Sequence, residues 1–161
     1  MVLVRERAKM RIRKAKICDV EAIHFLINKY AGEGLMLAKS RMALYENLRD
    51  FIVAEQDEIV LGVGALHIIW EDLAEIRSLA VDRKCCKKGI GKKIINELIK
   101  EARELGICEV FTLTYKLEFF EKCGFIKVDK EGLPKKVWKD CINCPKFPNC
   151  DENAMINKII M

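Results

Sequence analysis

The stretch from Leu79 to Leu105 constrains the fold more than any other. Leu79-Ala80-Val81 reads as the end of a β-strand, Asp82 to Gly89 as a basic turn, and from Ile90 the period becomes helical. Ile90, Ile94, Ile95, Leu98, Ile99, Ala102 and Leu105 form one apolar stripe, and Gly106 stands where the helix would close. A strand that turns tightly into an amphipathic helix needs a sheet for that helix to cover.

The rest of the chain supplies the sheet. Met10 to Ala15 alternates apolar and basic residues, as a half-exposed strand does. Asp19 is the expected N-cap of a helix whose apolar face is Ile23, Leu26, Ile27 and Tyr30 and which ends at Gly32 or Gly34. Ser40 caps a second, short helix through Met42, Tyr45 and Leu48. Asp50 to Glu55 and Ile59 to Trp70 flank a polar Gln56-Asp57-Glu58 turn, predicting an antiparallel hairpin, and Leu73 to Asp82 is a fourth strand. After the long helix come a strand at 107–114, a short helix at 117–123 and a strand at 124–128. This order predicts an α+β fold, a mixed and mainly antiparallel central sheet with helices on both faces. Residues 10–135 are expected to form that domain, and residues 136–161, with the Cys141, Cys144 and Cys150 cluster and two of the three prolines, a C-terminal appendage.

Composition narrows the setting. With 161 residues the chain is long enough for one buried core, and its longest apolar run, Ile59 to Trp70, falls short of the ~20 residues that span a bilayer. The first eleven residues contain no apolar signal core, so a cytoplasmic protein without a membrane partner is expected, with most of its eight cysteines as free thiols. The net charge of +5 is unevenly spread: residues 5–16 carry seven basic groups and one acid, residues 83–93 six basic groups and no acid. Both are anion-attracting patches. The first has no aromatic residue before Phe25 on which a base could stack, so nucleic acid is not an expected partner.

The second patch lies on the strand–loop–helix unit. Backbone N–H groups at a helix N-terminus, together with the helix dipole, form an anion site. Gly89 and Gly91 permit close approach of a phosphate, and Lys87, Lys88, Lys92 and Lys93 surround the loop. A Walker loop would need Gly-Lys-Ser/Thr, and a dinucleotide fingerprint a third glycine where Ile94 stands. The segment Cys86-Lys-Lys-Gly-Ile-Gly91 instead resembles the coenzyme A pyrophosphate loop of the GNAT acetyltransferase superfamily, Gln/Arg-x-x-Gly-x-Gly/Ala, with Cys86 replacing the usual first residue. Ile107 to Thr114 followed by Phe119-Phe-Glu-Lys-Cys-Gly-Phe125 is similar to the superfamily's fifth strand, short helix and closing Gly-Phe strand. Phrases such as Gly64-Ala-Leu-His67, Trp70 to Asp82 and Cys144-Pro-Lys-Phe-Pro-Asn-Cys-Asp151 look like those of short, stand-alone N-acetylglutamate synthases.

The resemblance implies acetyl-CoA as cosubstrate, with the fourth and fifth strands splayed and pantetheine along Leu79, Ala80 and Val81. Cys86, Lys87, Lys88, Gly89, Ile90, Gly91 and Lys92 would form the phosphate cradle. Phe120 stands where many superfamily members carry the tyrosine that reprotonates the thiolate, so Phe120 would lie against the cofactor. The acid is then Tyr115, or none is needed, since a thiol with pKa of about 8.5 is already a tolerable leaving group.

Acetyl transfer to an amino acid also needs its ammonium deprotonated. Glu75, at a position where the superfamily often places its base, would share a face of the fourth strand with Arg77 if the alternation is regular; the alternative is a surface ion pair. Arg77 would bind a substrate carboxylate bidentately. Lys39, Arg41, Tyr45 and Arg49, around the helix that usually shapes the acceptor pocket, are further anchors. His67, within an apolar strand, is expected to be a packed, hydrogen-bonded histidine. Cys141, Cys144 and Cys150 have spacing suited to zinc or an iron–sulfur cluster. The leading expectation is an acetyl-CoA-dependent N-acetyltransferase of L-glutamate in arginine biosynthesis. Another amine acceptor (a protein or a polyamine) or a non-catalytic acetyl-CoA or metal sensor are the alternatives, and a homodimer is a candidate assembly.

Overall fold

The computed structural model describes residues 6, 8–134, 137 and 150–160. Seven strands form one sheet in the order β1-β2-β3-β4-β5-β7-β6. They are β1 (Arg11–Lys14), β2 (Phe51–Gln56), β3 (Ile59–Trp70), β4 (Leu73–Val81), β5 (Glu109–Thr114), β6 (Ile126–Val128) and β7 (Asn153–Lys158). All neighbours are antiparallel except β4 and β5. Four helices are described: α1 (Val20–Gly32), α2 (Arg41–Glu46), α3 (Ile90–Glu104) and α4 (Leu117–Lys122). None is long and apolar enough to cross a membrane.

Strand β2 is buried along nearly its whole length because each face meets a different helix. Ile52 and Ala54 pack with Ile90, Ile94, Ile95, Leu98 and Ala102 of α3, while Phe51 and Val53 pack with Val20, Ile23, Leu26 and Ile27 of α1. Each buried isoleucine or leucine contributes on the order of 1.5–3 kcal/mol relative to exposure. Leu105, expected in the α3 stripe, falls just beyond the helix and is exposed. The β2–β3 turn is tight: Asp57 and Glu58 both take positive φ (52° and 64°), as a two-residue hairpin loop demands.

Three differences from the sequence expectations have physical causes. Ser40 caps α2 through its hydroxyl, which accepts from Ala43 N–H at 3.1 Å, but Asp19 does not cap α1. Its carboxylate is buried and accepts both Nη atoms of Arg13 (2.7 and 2.9 Å) and the Lys16 N–H (2.7 Å). A carboxylate offered a bidentate guanidinium is stabilised more by that pair than by one cap bond. Arg13 also donates through Nε to Glu55, while Arg11 reaches Glu55 and Lys14 reaches Glu101 at 2.9 Å. Much of the first basic patch is therefore spent within the fold.

The second difference is β7. The segment expected to be an appendage ends in a strand inserted between β5 and β6, with Phe111 opposite Ile156 and Val128 opposite Ala154. Ala154, Met155 and Ile156 are buried, so the end of the chain belongs to the sheet.

The third is an irregularity in β4. Residues 74–77 pair in regular register with 65–68 of β3, but Ala80 then pairs with Val63, so Ser78 and Leu79 together oppose Gly64. This is a β-bulge, and Ser78 has the left-handed φ of 57° that one bulge type uses. One extra residue inverts the faces: Arg77 lies on the α1 side, and beyond the bulge it is Ala80 that faces α1 while Leu79 and Val81 pack towards α3. The backbone phase inverts too, with consequences for the cleft.

Candidate active site

A large cleft, about 2150 Å3, runs from the loop after α1, across β4 and the start of α3, to β5, α4 and the start of β7. Its volume is roughly twice the upper end of ordinary small-ligand pockets, enough for a long cofactor and a second substrate.

The fork between β4 and β5 opens it. These strands pair only from Leu73/Glu109 to Glu75/Phe111. Thr112 Oγ1 donates to Ile76 O at 2.9 Å, and beyond that point the strands diverge. Asp82 N–H donates to Leu61 O, which sets the ladder phase past the bulge: residues 80 and 82 face β3, so the N–H and C=O groups of Leu79 and Val81 point into the fork. Tyr30 of α1 uses one of them, its hydroxyl lying 2.5 Å from Val81 O. Burial pushes the Tyr30 hydroxyl above its ordinary pKa, keeping it a donor. The Arg83 guanidinium stacks over the Tyr30 ring at 5.1 Å and pairs with Glu33.

The loop into α3 has the expected anion-site geometry. Gly89 is the N-cap with φ of 79°, a conformation that glycine adopts without strain. Lys87 shares the left-handed region at 66°. The first intrahelical bond, Lys93 N–H to Gly89 O at 3.1 Å, leaves the N–H groups of Ile90, Gly91 and Lys92 at the helix end without intrahelical acceptors. Gly91 packs closely under Phe119: a Cβ there would lie 3.1 Å from Phe119 Cζ, so the ring would have to give by a few tenths of an ångström. Cys86, Lys87, Gly89, Gly91 and Lys92 line the cleft; Ile90 does so too, with its side chain in the core, and Lys88 is exposed outside. Ala80 is buried against α1 and does not line it. Phe120 lines the cleft although it is only 4% exposed and stacked edge-on between Phe119 and Phe125, and Phe119, which lines the cleft too, covers the start of α3.

At the fork's base the regular part of β4 places Glu75 and Arg77 on one face, 3.9 Å apart and about 15% exposed each. They form an ion pair, yet one set in the cleft wall rather than on a solvated surface. The proposed acceptor anchors divide. Lys39 lines the cleft, its backbone held at both N–H and C=O by the Asn28 side chain. Arg41 is bound bidentately to Glu21 on the exposed side of α1 (2.7 and 3.0 Å) and does not line the cleft. Tyr45 and Arg49 line a separate shallow depression of about 380 Å3 together with His67. Tyr115 lines the cleft, and its hydroxyl donates to Asp151 at 2.6 Å. Cys141 and Cys144 lie outside the described residues; Cys150 is half-buried, its carbonyl accepting from Lys130 Nζ at 2.6 Å. No group of three candidate metal ligands occurs among the described residues.

Sequence reasoning missed Tyr30, Phe119 and the bulge. Tyr30 carried a signal, since a tyrosine ending an apolar helical stripe needs a partner for its hydroxyl.

A fork in a mixed sheet, strand backbone facing it and a glycine-capped anion site are the features that the resemblance to acetyl-CoA-using transferases implied. The sequence profile of the acetyltransferase (GNAT) family matches residues 20–125. The chain belongs to that family and is an acyltransferase. An uncharacterized N-acetyltransferase of Chlorobaculum tepidum is 41% identical over 148 residues, covering 92% of this chain and 96% of the relative. An amino-acid acetyltransferase of Mycobacterium tuberculosis is 43% identical over 126 residues, 76% of this chain and 71% of the relative. Among solved structures, a Mycobacterium tuberculosis protein in complex with CoA superposes with a TM-score of 0.82 at 34% identity, over 93% of this chain and 99% of that one. The N-acetylglutamate synthase of Neisseria gonorrhoeae, complexed with coenzyme A and N-acetyl-glutamate, gives 0.86 at 27% identity, over 96% of this chain but 36% of that one.

Proposed function

We propose that the protein is an acetyl-CoA-dependent amino-acid N-acetyltransferase whose acceptor is the α-amine of L-glutamate, in the manner of the synthases of arginine biosynthesis. The observation that carries this reading is the pairing of Glu75 with Arg77 at the base of the β4–β5 fork, a carboxylate and a fork-shaped cation side by side in a sheltered wall. The residues present suit the thioester cosubstrate: the cradle at Gly89 and Gly91 for its phosphates and the strand backbone at Leu79 and Val81 for its amide-bearing arm. Acetyl-CoA supplies the activated acetyl group.

Arg77 binds a carboxylate of the acceptor through its guanidinium, which orients the amine. Glu75 takes a proton from the ammonium and so exposes the lone pair that attacks. A backbone N–H at Leu79 or Val81, aimed into the fork, donates to the oxygen that gains charge. Tyr115 has its proton directed at Asp151, so the sulfur leaves as thiolate without an acid. Lys39 supplies a second cation for a dicarboxylate.

The test is thiol release from acetyl-CoA with a panel of amino acids and polyamines. Glutamate is expected to be turned over fastest, and Arg77→Ala to raise the KM for glutamate at least ten-fold, on the order of 1.4 kcal/mol, while leaving that for acetyl-CoA within two-fold. Turnover of a different amine alone overturns the glutamate assignment, and equal effects on both KM values overturn the role of Arg77.

A further inference from the structure

The shallow depression beside α2 holds a second pair of titratable groups, and the strand register connects it to the cleft. His67 stands directly opposite Glu75, and Ala65 opposite Arg77, in the regular part of the β3–β4 ladder. Opposite residues of an antiparallel pair share a face, with Cβ atoms about 4.5–5.5 Å apart. His67 Nδ1 lies 2.7 Å from Asp50 Oδ2. A carboxylate accepts only, so Nδ1 carries the hydrogen, and in the neutral ring Nε2 has the lone pair. His67 is 31% exposed and lines the depression with Tyr45, Glu46 and Arg49, whereas Glu75 is 14% exposed and lines the cleft. Across one strand spacing, then, two groups able to carry a proton lie on the same face of the sheet and line different depressions.

We infer that His67, oriented by Asp50, is the positioning residue that passes the proton taken up by Glu75 out to solvent through this second depression. The inference rests on the reading of Glu75 as the base. A proton removed from the acceptor must leave before the next turnover, and cosubstrate and acceptor fill the cleft mouth while it is there. The step balances as a relay: the ammonium N–H bond breaks as the Glu75 O–H bond forms. That O–H then breaks as Nε2–H forms, directly or through one water, and the resulting imidazolium is stabilised by the Asp50 carboxylate. The Nε2 proton finally passes to water or buffer in the depression, which restores neutral His67. The titratable groups on the elements around the ring are Asp50, Glu75, Arg77, Tyr45, Glu46 and Arg49; the carboxylates Asp50 and Glu75 flank it along the relay, and Arg77 pairs with Glu75.

The experiment is steady-state thiol release by His67→Ala with acetyl-CoA and the amino acid that the panel selects, L-glutamate on the reading above. The expected result is a fall in kcat of about ten-fold or more, with both KM values within two-fold, and partial recovery on adding imidazole. In a Glu75→Gln background the same change should cost nothing further, since the relay has lost its first carrier. An unchanged kcat, or a fall that imidazole does not restore and that adds fully to that of Glu75→Gln, overturns the inference. If Glu75→Gln alone retains wild-type kcat, the base assignment falls and this relay with it; if Glu75→Gln is disabled while His67→Ala is not, only the relay falls. Should His67→Ala fail to fold, Asp50→Asn carries the test: it keeps the ring but removes the acceptor that fixes its tautomer, and an unchanged kcat would count equally against the relay.

Discussion

Gly64→Ala probes how the core sets the geometry of the cleft. Gly64 opposes the bulge at Ser78 and Leu79, and α3 lies against it so closely that an added Cβ would sit 2.7 Å from Ile94 Cγ2, 3.2 Å from Leu98 Cδ1 and 3.5 Å from Leu79 Cδ1. The first contact is not easily relieved by a side-chain swing, because Cγ2 is the branch methyl of a fully buried isoleucine whose χ1 a helix holds to one strongly preferred rotamer. Overpacking of this kind costs about 1–3 kcal/mol, and for a chain of this size each kcal/mol lowers Tm by roughly 2–4 °C. A fall of about 4–8 °C is therefore expected for a cost near 2 kcal/mol. Shifting α3 also moves Gly89 and Gly91, so the KM for acetyl-CoA should rise. The control is a double-mutant cycle with Ile94→Leu, which removes the branch methyl at a cost of less than about 1.5 kcal/mol by itself. Thermal and urea unfolding of the four proteins should show the double variant more stable than the sum of the singles by at least about 0.5 kcal/mol. Additive behaviour, or a Gly64→Ala protein as stable as the wild type, would refute the contact between β3 and α3 as the cause.

Two further outcomes follow from the geometry. Arg13 holds the carboxyls of both Asp19 and Glu55 below their ordinary values through its hydrogen bonds, so the stability they contribute is present above the usual carboxylate range, about pH 4, and is lost as pH falls through the lowered values. Arg13→Met should flatten the dependence of Tm on pH between about 5 and 2; a slope equal to the wild type's would show the pairs contribute nothing. Gly89→Ala forces an alanine to φ of 79° with no steric obstacle around its Cβ, so it should lose about 1 kcal/mol of stability. It should also weaken acetyl-CoA binding, read by calorimetric titration, more than glutamate binding.

The sequence by itself determined the element order as far as β6 and the strand–loop–helix unit with its glycine at the helix start, because period and glycine placement are local signals that a single segment carries whole. It also determined that Glu75 and Arg77 share a face, since a two-residue spacing on a regular strand needs nothing else. What it did not carry were features created where distant segments meet. Asp19 looked like a cap because the residue that claims its carboxylate, Arg13, is on a neighbouring strand paired to Glu55, and Arg41 looked like a substrate anchor until α1 brought Glu21 against it. Strand β7 has little alternation of its own and becomes a strand because β5 and β6 present two open edges for it to bridge. The bulge at Ser78 is invisible in one strand, since it exists only as a mismatch with β3, and yet it turns the backbone of Leu79 and Val81 towards the fork. Sequence thus singled out the strand–loop–helix unit, while tertiary structure decided which charges line the cleft and which are turned away from it, because that depends on what else has folded within reach of them.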